Sequence, residues 1–244
     1  MNWLETHLRD VPIRLSAGRA AFLPRCGTLL VADLHLGRQH TWRAEGRPIS
    51  DTTAAASLRE PLDRLSRLIA DCRPQRVRIL GDLLHAPSGL TPAMIDSVAS
   101  WRRSLDVIIE LIPGNHDRRA DLILSAWGMQ LREPVVIEPP FAFTHEPCSI
   151  PDHGAGPLMV WCGHVHPLVV LRTRGDALRL PCFCFGAETA LLPAFSGMSA
   201  GATIRPEAGD RVFAVSDEGV FDVSASSAPR VRFPRSRAAS RVDR

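Results

Sequence analysis

The residues with most capacity for chemistry stand in five short strings. Asp33 and His35 lie one residue apart in VADLHLG, and Asp82 follows Gly81 in GDLLH. Asn115, His116 and Asp117 follow Gly114 in PGNHD, His145 closes FAFTH, and His164 and His166 sit in WCGHVH behind Gly163. Carboxylate, imidazole and carboxamide oxygen together suit divalent manganese, iron or zinc, whereas magnesium and calcium prefer an all-oxygen shell. Taken singly, Asp33 and Asp82 read equally well as turn formers after a strand, and one Asp-x-His pair is a weak signal. The repetition of one placement, a metal-type residue just beyond an apolar run, makes them a constellation. In extended backbone a spacing of two points the side chains of Asp33 and His35 the same way, so that both can meet one ion.

The elements that must hold these strings are readable from periodicity. VPIRLSAGRAAFLP gives two short strands around a Ser-Ala-Gly turn, GTLLVAD a buried strand ending at Asp33, RVRILGD the next, and DVIIELIPGNHD a third. Between them, Leu58, Leu62, Leu65, Ile69 and Cys72 recur at helical spacing over 50 to 72, with a break expected at Pro61. Thr91-Pro92 opens a second helix whose apolar side is Met94, Ile95, Val98 and Trp101. The second half changes character. Short apolar runs at 134 to 138, 141 to 144, 158 to 162, 168 to 172, 178 to 183 and 211 to 215 alternate with Gly, Pro and Asp turns, as strands joined by loops do. An α/β half followed by a strand-rich half predicts a four-layer α/β fold, two packed, mostly mixed sheets flanked by helices.

Composition sets the outer bounds. The chain has 244 residues, 45% of them hydrophobic and 23% charged, the balance of a globular protein with a sizeable core. Residues 1–223 are expected to form one domain, and 224–244, with six Arg against one Asp over the last fifteen residues, a flexible basic tail. The apolar runs are too often interrupted to span a bilayer, and the start lacks the pattern of a secretory leader, so the expectation is a cytoplasmic protein without a membrane partner. Six Cys in a chain of this size read as reduced, mostly buried thiols, with Cys182 and Cys184 spaced as two residues on one strand face rather than as a metal knuckle. All 29 basic residues are Arg, so arginine clusters by themselves argue weakly for nucleic acid. Neither a GxxxxGK loop nor GxGxxG occurs, which removes P-loop nucleotidases and Rossmann enzymes.

The order Asp-x-His, Gly-Asp, Gly-Asn-His-Asp, His, Gly-His-x-His resembles the calcineurin-like metallophosphoesterase superfamily, over residues 31 to 166. The early hairpin, the length and VADLHLG are most similar to its ligase-associated DNA damage response endonucleases, the PdeM family. The resemblance implies two divalent ions, manganese first among the candidates, bridged by Asp82. One ion would take Asp33, His35 and His166, the other Asn115, His145 and His164. It also implies that His116 assists the leaving oxygen, with Asp117 orienting its ring, while the ions activate water for attack on phosphorus. In many relatives the residue matched by His145 follows a glycine, whereas Thr144 precedes it here, and His153 is a rival ligand.

The same resemblance suggests DNA phosphodiester bonds in repair as the substrate, in single-stranded or unpaired form, with a repair helicase and a ligase as partners and a homodimer as an option. A small-molecule phosphatase or cyclic-nucleotide phosphodiesterase would use the same metals, and a catalytically silent scaffold would have no need of all seven ligands. Arg38, Arg43 and Arg47 in the loop after His35, and Arg118 and Arg119 after Asp117, could line a cleft for a phosphate backbone. Trp42 could stack on an unpaired base. His85, three residues beyond Asp82, reads as a substrate contact, a neighbour supporting the ligands, or a structural histidine.

Overall fold

Side chains alternate across a strand, and the central strands of this chain are apolar on both faces, which calls for a layer on either side of each sheet. The computed structural model describes residues 2–117, 120–150, 156, 158–173, 176–197 and 200–224. All of the expected tail except Ser224 lies outside the described residues, as do Arg118, Arg119 and His153.

The first sheet runs in chain order. An antiparallel meander, β1 (Trp3–Leu8), β2 (Val11–Ser16), β3 (Ala20–Leu23) and β4 (Thr28–Val31), is extended in parallel by β5 (Arg76–Leu80), β6 (Ile108–Ile112) and β7 (Gln130–Leu131). Its parallel crossovers carry α1 (Arg38–Ala44), α2 (Asp51–Cys72), α3 (Pro92–Arg103) and α4 (Asp121–Leu124). The second sheet contains β8 (Val135–Glu138), β9 (Phe141–Thr144), β10 (Met159–Cys162), β12 (Asp176–Phe185), β13 (Thr189–Leu191), β14 (Arg211–Val215) and β15 (Val220–Asp222), with β11 (Leu168–Thr173) paired onto β12. Its order is β15-β14-β12-β13-β10-β9-β8, and β9, β10 and β13 are mutually parallel.

Alternation sorts the core. Leu29, Val31, Val77, Ile79, Ile109 and Leu111 face the helices with Leu58, Leu62, Leu65, Met94 and Val98. Leu30, Leu80 and Ile112 face the second sheet and meet Phe143, Trp161, Phe183 and Phe213. The architecture is thus two packed mixed sheets with helices. Among the described residues the helical layer stands on the first sheet. The outer face of the second packs Cys162, Val169, Cys182, Cys184, Ile204 and Val212 together, without a helix. Cys182 and Cys184 do share a strand face, and all six cysteines are free. No described helix is long and apolar enough to cross a membrane.

Two expectations are corrected. α2 does not break at Pro61, which is buried on the same stripe as Leu58, Leu62 and Leu65. The lost backbone bond costs about 3 kcal/mol, and burial of large apolar side chains on both sides of the proline, at about 1.5–3 kcal/mol each, outweighs it. The segment after His35 is not simply a loop, because Arg38–Ala44 is helical.

A charged cluster lies in the layer between the sheets. Arg78 is fully buried and lies directly across the parallel ladder from Glu110. Its Nε donates to Glu110 Oε2 at 2.9 Å and its Nη2 to Glu138 Oε1 at 2.7 Å, with the guanidinium 4.5 Å from the centre of the Phe143 ring. Glu138 belongs to β8, so the cluster joins the two sheets.

Candidate dinuclear metal centre

The strings identified in the sequence all emerge at the carboxyl ends of β4, β5, β6, β9 and β10, where loops of both sheets converge. The backbone there departs from the extended geometry expected for Asp33 and His35. Their φ angles are 58° and 47°, and Asp82, His164 and His166 stand at 50°, 65° and 48°. Left-handed backbone at such residues costs on the order of 1–3 kcal/mol each. It is held because the ladder between the first two loops continues past the strands: Asp33 N donates to Gly81 O at 3.1 Å, His35 N to Asp82 O at 2.8 Å and Leu36 N to Leu83 O at 2.8 Å. Leu34, Leu36, Leu83 and Leu84 are buried between these turns. Two glycines permit the approach of the loops. Gly81 has φ 76°, and a Cβ on it would overlap the ring of His145. A Cβ on Gly163 would stand 2.7 Å from Asp33 Oδ2.

Two groups of donors result. In the first, His166 Nε2 lies 3.4 Å from Asp33 Oδ1 and 3.4 Å from His35 Nε2, which is 3.8 Å from Asp82 Oδ2. In the second, His145 Nε2 lies 3.6 Å from Asp82 Oδ1, 3.0 Å from Asn115 Oδ1 and 3.1 Å from His164 Nδ1. Asp82 thus turns one carboxylate oxygen to each group. The two groups are also tied through the backbone, since His164 N donates to both oxygens of Asp33 and His116 N donates to Asp82 Oδ1 at 3.0 Å.

The surroundings aim these nitrogens. A carbonyl oxygen only accepts, so the bonds His145 Nδ1 to Leu80 O, 3.0 Å, and His166 Nδ1 to Ala200 O, 2.8 Å, place the N–H of each ring on Nδ1. In the neutral ring Nε2 then carries the lone pair and faces the group, the arrangement that orients metal-binding imidazoles. Burial, reinforced by the charge of Arg38 and the neighbouring imidazoles, holds His35 down to about 2, so it is neutral and ready to donate. His166 is drawn upward despite its burial, because the bond to Asp33 and that carboxylate's charge favour a cation at this point. Oxygen and nitrogen donors around a place that attracts positive charge are what a pair of divalent transition ions requires, and the residues fit that group.

All seven predicted ligands are brought together. His116 stands beside them, its side chain 39% exposed, with Nδ1 bonded to His85 O at 2.7 Å and Nε2 4.0 Å from Asp82 Oδ2. The expectation for Asp117 needs correcting. Its carboxylate accepts from Leu84 N at 3.0 Å and Gly114 N at 2.9 Å, so it pins the Asn-His-Asp turn to the loop after Asp82, and the His85 carbonyl holds the His116 ring. Burial, opposed by those backbone bonds, carries Asp117 up to about 6.

His85 stacks on His116 at 5.6 Å and meets His35 edge-on at 5.5 Å. Burial and the charge of Arg38 keep it down at about 4. Arg38, buried at the start of α1, is close enough to feel the charge of Asp82. Arg43 pairs with Asp51, and Trp42 carries the Arg47 guanidinium 4.9 Å above its ring. These bonds engage both side chains locally on α1 and its flank. Sequence reasoning missed Leu192–Ser196 and Ala200, which support the centre through backbone groups: Phe195 N donates to Ala32 O, Ser196 N to Asp33 O, and Ala200 O receives His166. Backbone donors carry no residue-type signal.

A fold of two packed mixed sheets with a His/Asp centre at the strand ends defines a class, the metal-dependent phosphoesterases. Comparison with solved structures agrees. The chain is 35% identical to the Pseudomonas putida nuclease MPE, with a TM-score of 0.74 over 91% of this chain and all of that one. A structure of Yfce, a phosphoesterase from E. coli, is matched at 16% identity and a TM-score of 0.37, over 78% of this chain and 88% of that one. No family model and no curated protein matches. The chain belongs to the metallophosphoesterase superfamily and shares it with that nuclease.

Proposed function

We propose that the chain is a nuclease that hydrolyses phosphodiester bonds of DNA, in single-stranded or unpaired form, with two divalent ions, manganese before iron or zinc. The observation that carries the chemistry is the pair of donor groups sharing Asp82. The nuclease relative at 35% identity supports the substrate. Asp33, His35 and His166 would hold one ion, Asn115, His145 and His164 the other, and Asp82 both. When bound, such ions lower the pKa of water and offset charge developing on the phosphate.

The chain's own residues do the rest. The His85 carbonyl keeps one proton on His116 Nδ1, so the proton exchanged during reaction is the one on Nε2, at the exposed edge of the site. His116 delivers it to the departing oxygen. Asp117 fixes the turn from which His116 projects. Arg38 supplies positive charge beside Asp82, His85 offers an imidazole face next to His116, and Trp42, Arg43 and Arg118 are the further candidates for the strand's path. A place in DNA repair beside a helicase and a ligase, supported by the sequence resemblance, belongs to the same proposal, as does a homodimeric state.

The test is a manganese-supplemented assay of the purified protein against single-stranded DNA, duplex DNA, cyclic nucleotides and mononucleotides in parallel. Single-stranded DNA should lead. A preference for cyclic nucleotides or mononucleotides would replace the nuclease reading by a small-molecule one, and activity indifferent to a chelator would remove the metal chemistry.

A further inference from the structure

The segment Leu192–Ser196 offers none of the seven donors, yet it is heavily bound to the elements around them. Its N–H groups support the strand end that carries Asp33: Phe195 N lies 2.8 Å from Ala32 O and Ser196 N 3.1 Å from Asp33 O. A few residues on, Ala200 O takes the Nδ1 proton of His166. Its three successive carbonyls are taken by two arginines from distant elements. Arg19, in the β2–β3 turn, donates from Nη1 to Ala194 O at 3.3 Å and Ser196 O at 2.9 Å. Arg64, on α2, donates from Nη2 to Phe195 O and lies 4.3 Å from the centre of the buried Phe195 ring.

This arrangement is costly. Arg19 holds a left-handed φ of 63°. Burial lowers both guanidiniums, Arg64 to about 10, and the two like charges repel each other. Glu60, 3.5 Å from Arg64 Nη1, offsets part of that repulsion. Two half-buried arginines spent on consecutive carbonyls give a loop with no ligand of its own a single position against Asp33. A guanidinium can do this because its donors are fixed in a planar fork, which an ammonium lacks.

We propose that Arg19 and Arg64 are positioning residues for the metal centre: by clamping carbonyls 194 to 196 they set Asp33 and His166, and so tune the ion held by Asp33, His35 and His166 rather than its neighbour. The proposal rests on the reading of those three residues as ligands. Neighbours of this kind typically change metal affinity 10–100-fold.

The experiment is a calorimetric titration with manganese of the wild type, R19M, R64M and R64K, with paramagnetic resonance to detect the coupled ion pair and thermal melting to check folding. The wild type should bind two ions. R19M and R64M should keep one ion at wild-type affinity and bind the other at least tenfold more weakly, with the coupled signal absent at limiting metal. R64K, retaining the charge and part of the packing, should recover some of the affinity. Should R64M not fold, R19M decides alone. Wild-type affinity at both positions in the methionine variants, or an equal weakening at both, overturns the clamp and leaves the metal reading standing. A wild type that binds fewer than two ions removes the metal reading and the clamp with it.

Discussion

His35 Nε2 and His166 Nε2, 131 residues apart in the chain, face each other at 3.4 Å. One hangs from the end of the first sheet and the other from the second, and His166 has already spent its Nδ1 proton on Ala200 O. Two ring nitrogens so placed require a proton or a cation between or beside them. Asp33 and Asp82 supply the compensating negative charge, and the region is expected to tighten when metal is added.

Because Asp82 turns one oxygen to each donor group, Asp82→Ala should lower occupancy of both ions rather than one. Metal analysis of the dialysed variant should give well under two ions per chain. A measured stoichiometry of two would remove the bridging role.

His116 stands outside the seven donors, with its Nδ1 on a carbonyl. His116→Ala should retain both metals and lose about 10²–10⁴-fold turnover on DNA, the usual range for a positioned proton donor. On a nitrophenyl ester, whose leaving group needs no proton, the loss should be tenfold or less. Equal losses on both substrates would count against proton donation.

Arg78→Leu removes the 2.9 Å partner of Glu110, only 4% exposed, and leaves it the more distant Arg132 at 3.7 Å. Removing one partner of a buried pair destabilises by about 3–5 kcal/mol, which a urea or thermal melt should register. The same cluster holds Glu138 below the usual carboxylate range, its bonds to Arg78 outweighing burial. A carboxylate depressed on folding stabilises above its unfolded pKa and loses that contribution as pH falls through the folded value. Acid should therefore narrow the gap between the wild type and Arg78→Leu below about pH 4.5, the ordinary range for Glu.

Truncation after residue 223 tests whether the arginines at 230 to 244 meet the substrate. DNA affinity should fall, and the slope of its logarithmic salt dependence should flatten by about 0.7 for each phosphate of a single strand that the arginines no longer neutralise. Hydrolysis of a small chromogenic diester should stay near wild type. An unchanged salt slope would assign the tail no part in DNA binding.

Much of this was legible in the sequence because metal-type side chains are rare and strand ends are well marked. The three central strands, the two long helices and the seven donors could all be read. What could not be read had physical reasons. β1, WLETHL, mixes polar and apolar residues because it is an edge strand, half-buried or exposed at every residue but the last. The helix Arg38–Ala44 opens without a side-chain cap and from a left-handed glycine. The left-handed angles at Asp33 and His35 are imposed by the neighbouring loop, not by their own types, and the bonds that place Asp117 and Leu192–Ser196 run to backbone. Arg78 and Glu110 were half visible: alternation with Val77 and Ile79 sends Arg78 to the face opposite theirs, but only the register of β5 with β6 shows that a carboxylate waits there.

The Arg78 cluster has a consequence for the chain as a polymer. Arg78 and Glu110 pair within the first sheet while Glu138 comes from β8, so parting the sheets takes Arg78 from Glu138 and uncovers the apolar inner faces of both. A gene divided between β7 and β8 would thus encode two fragments that are each poorly folded, and that regain structure only on meeting. Their mixing would restore the Arg78–Glu138 bond and the donor groups at the strand ends in one step, which makes the pair a candidate for a split reporter assembled from its own halves.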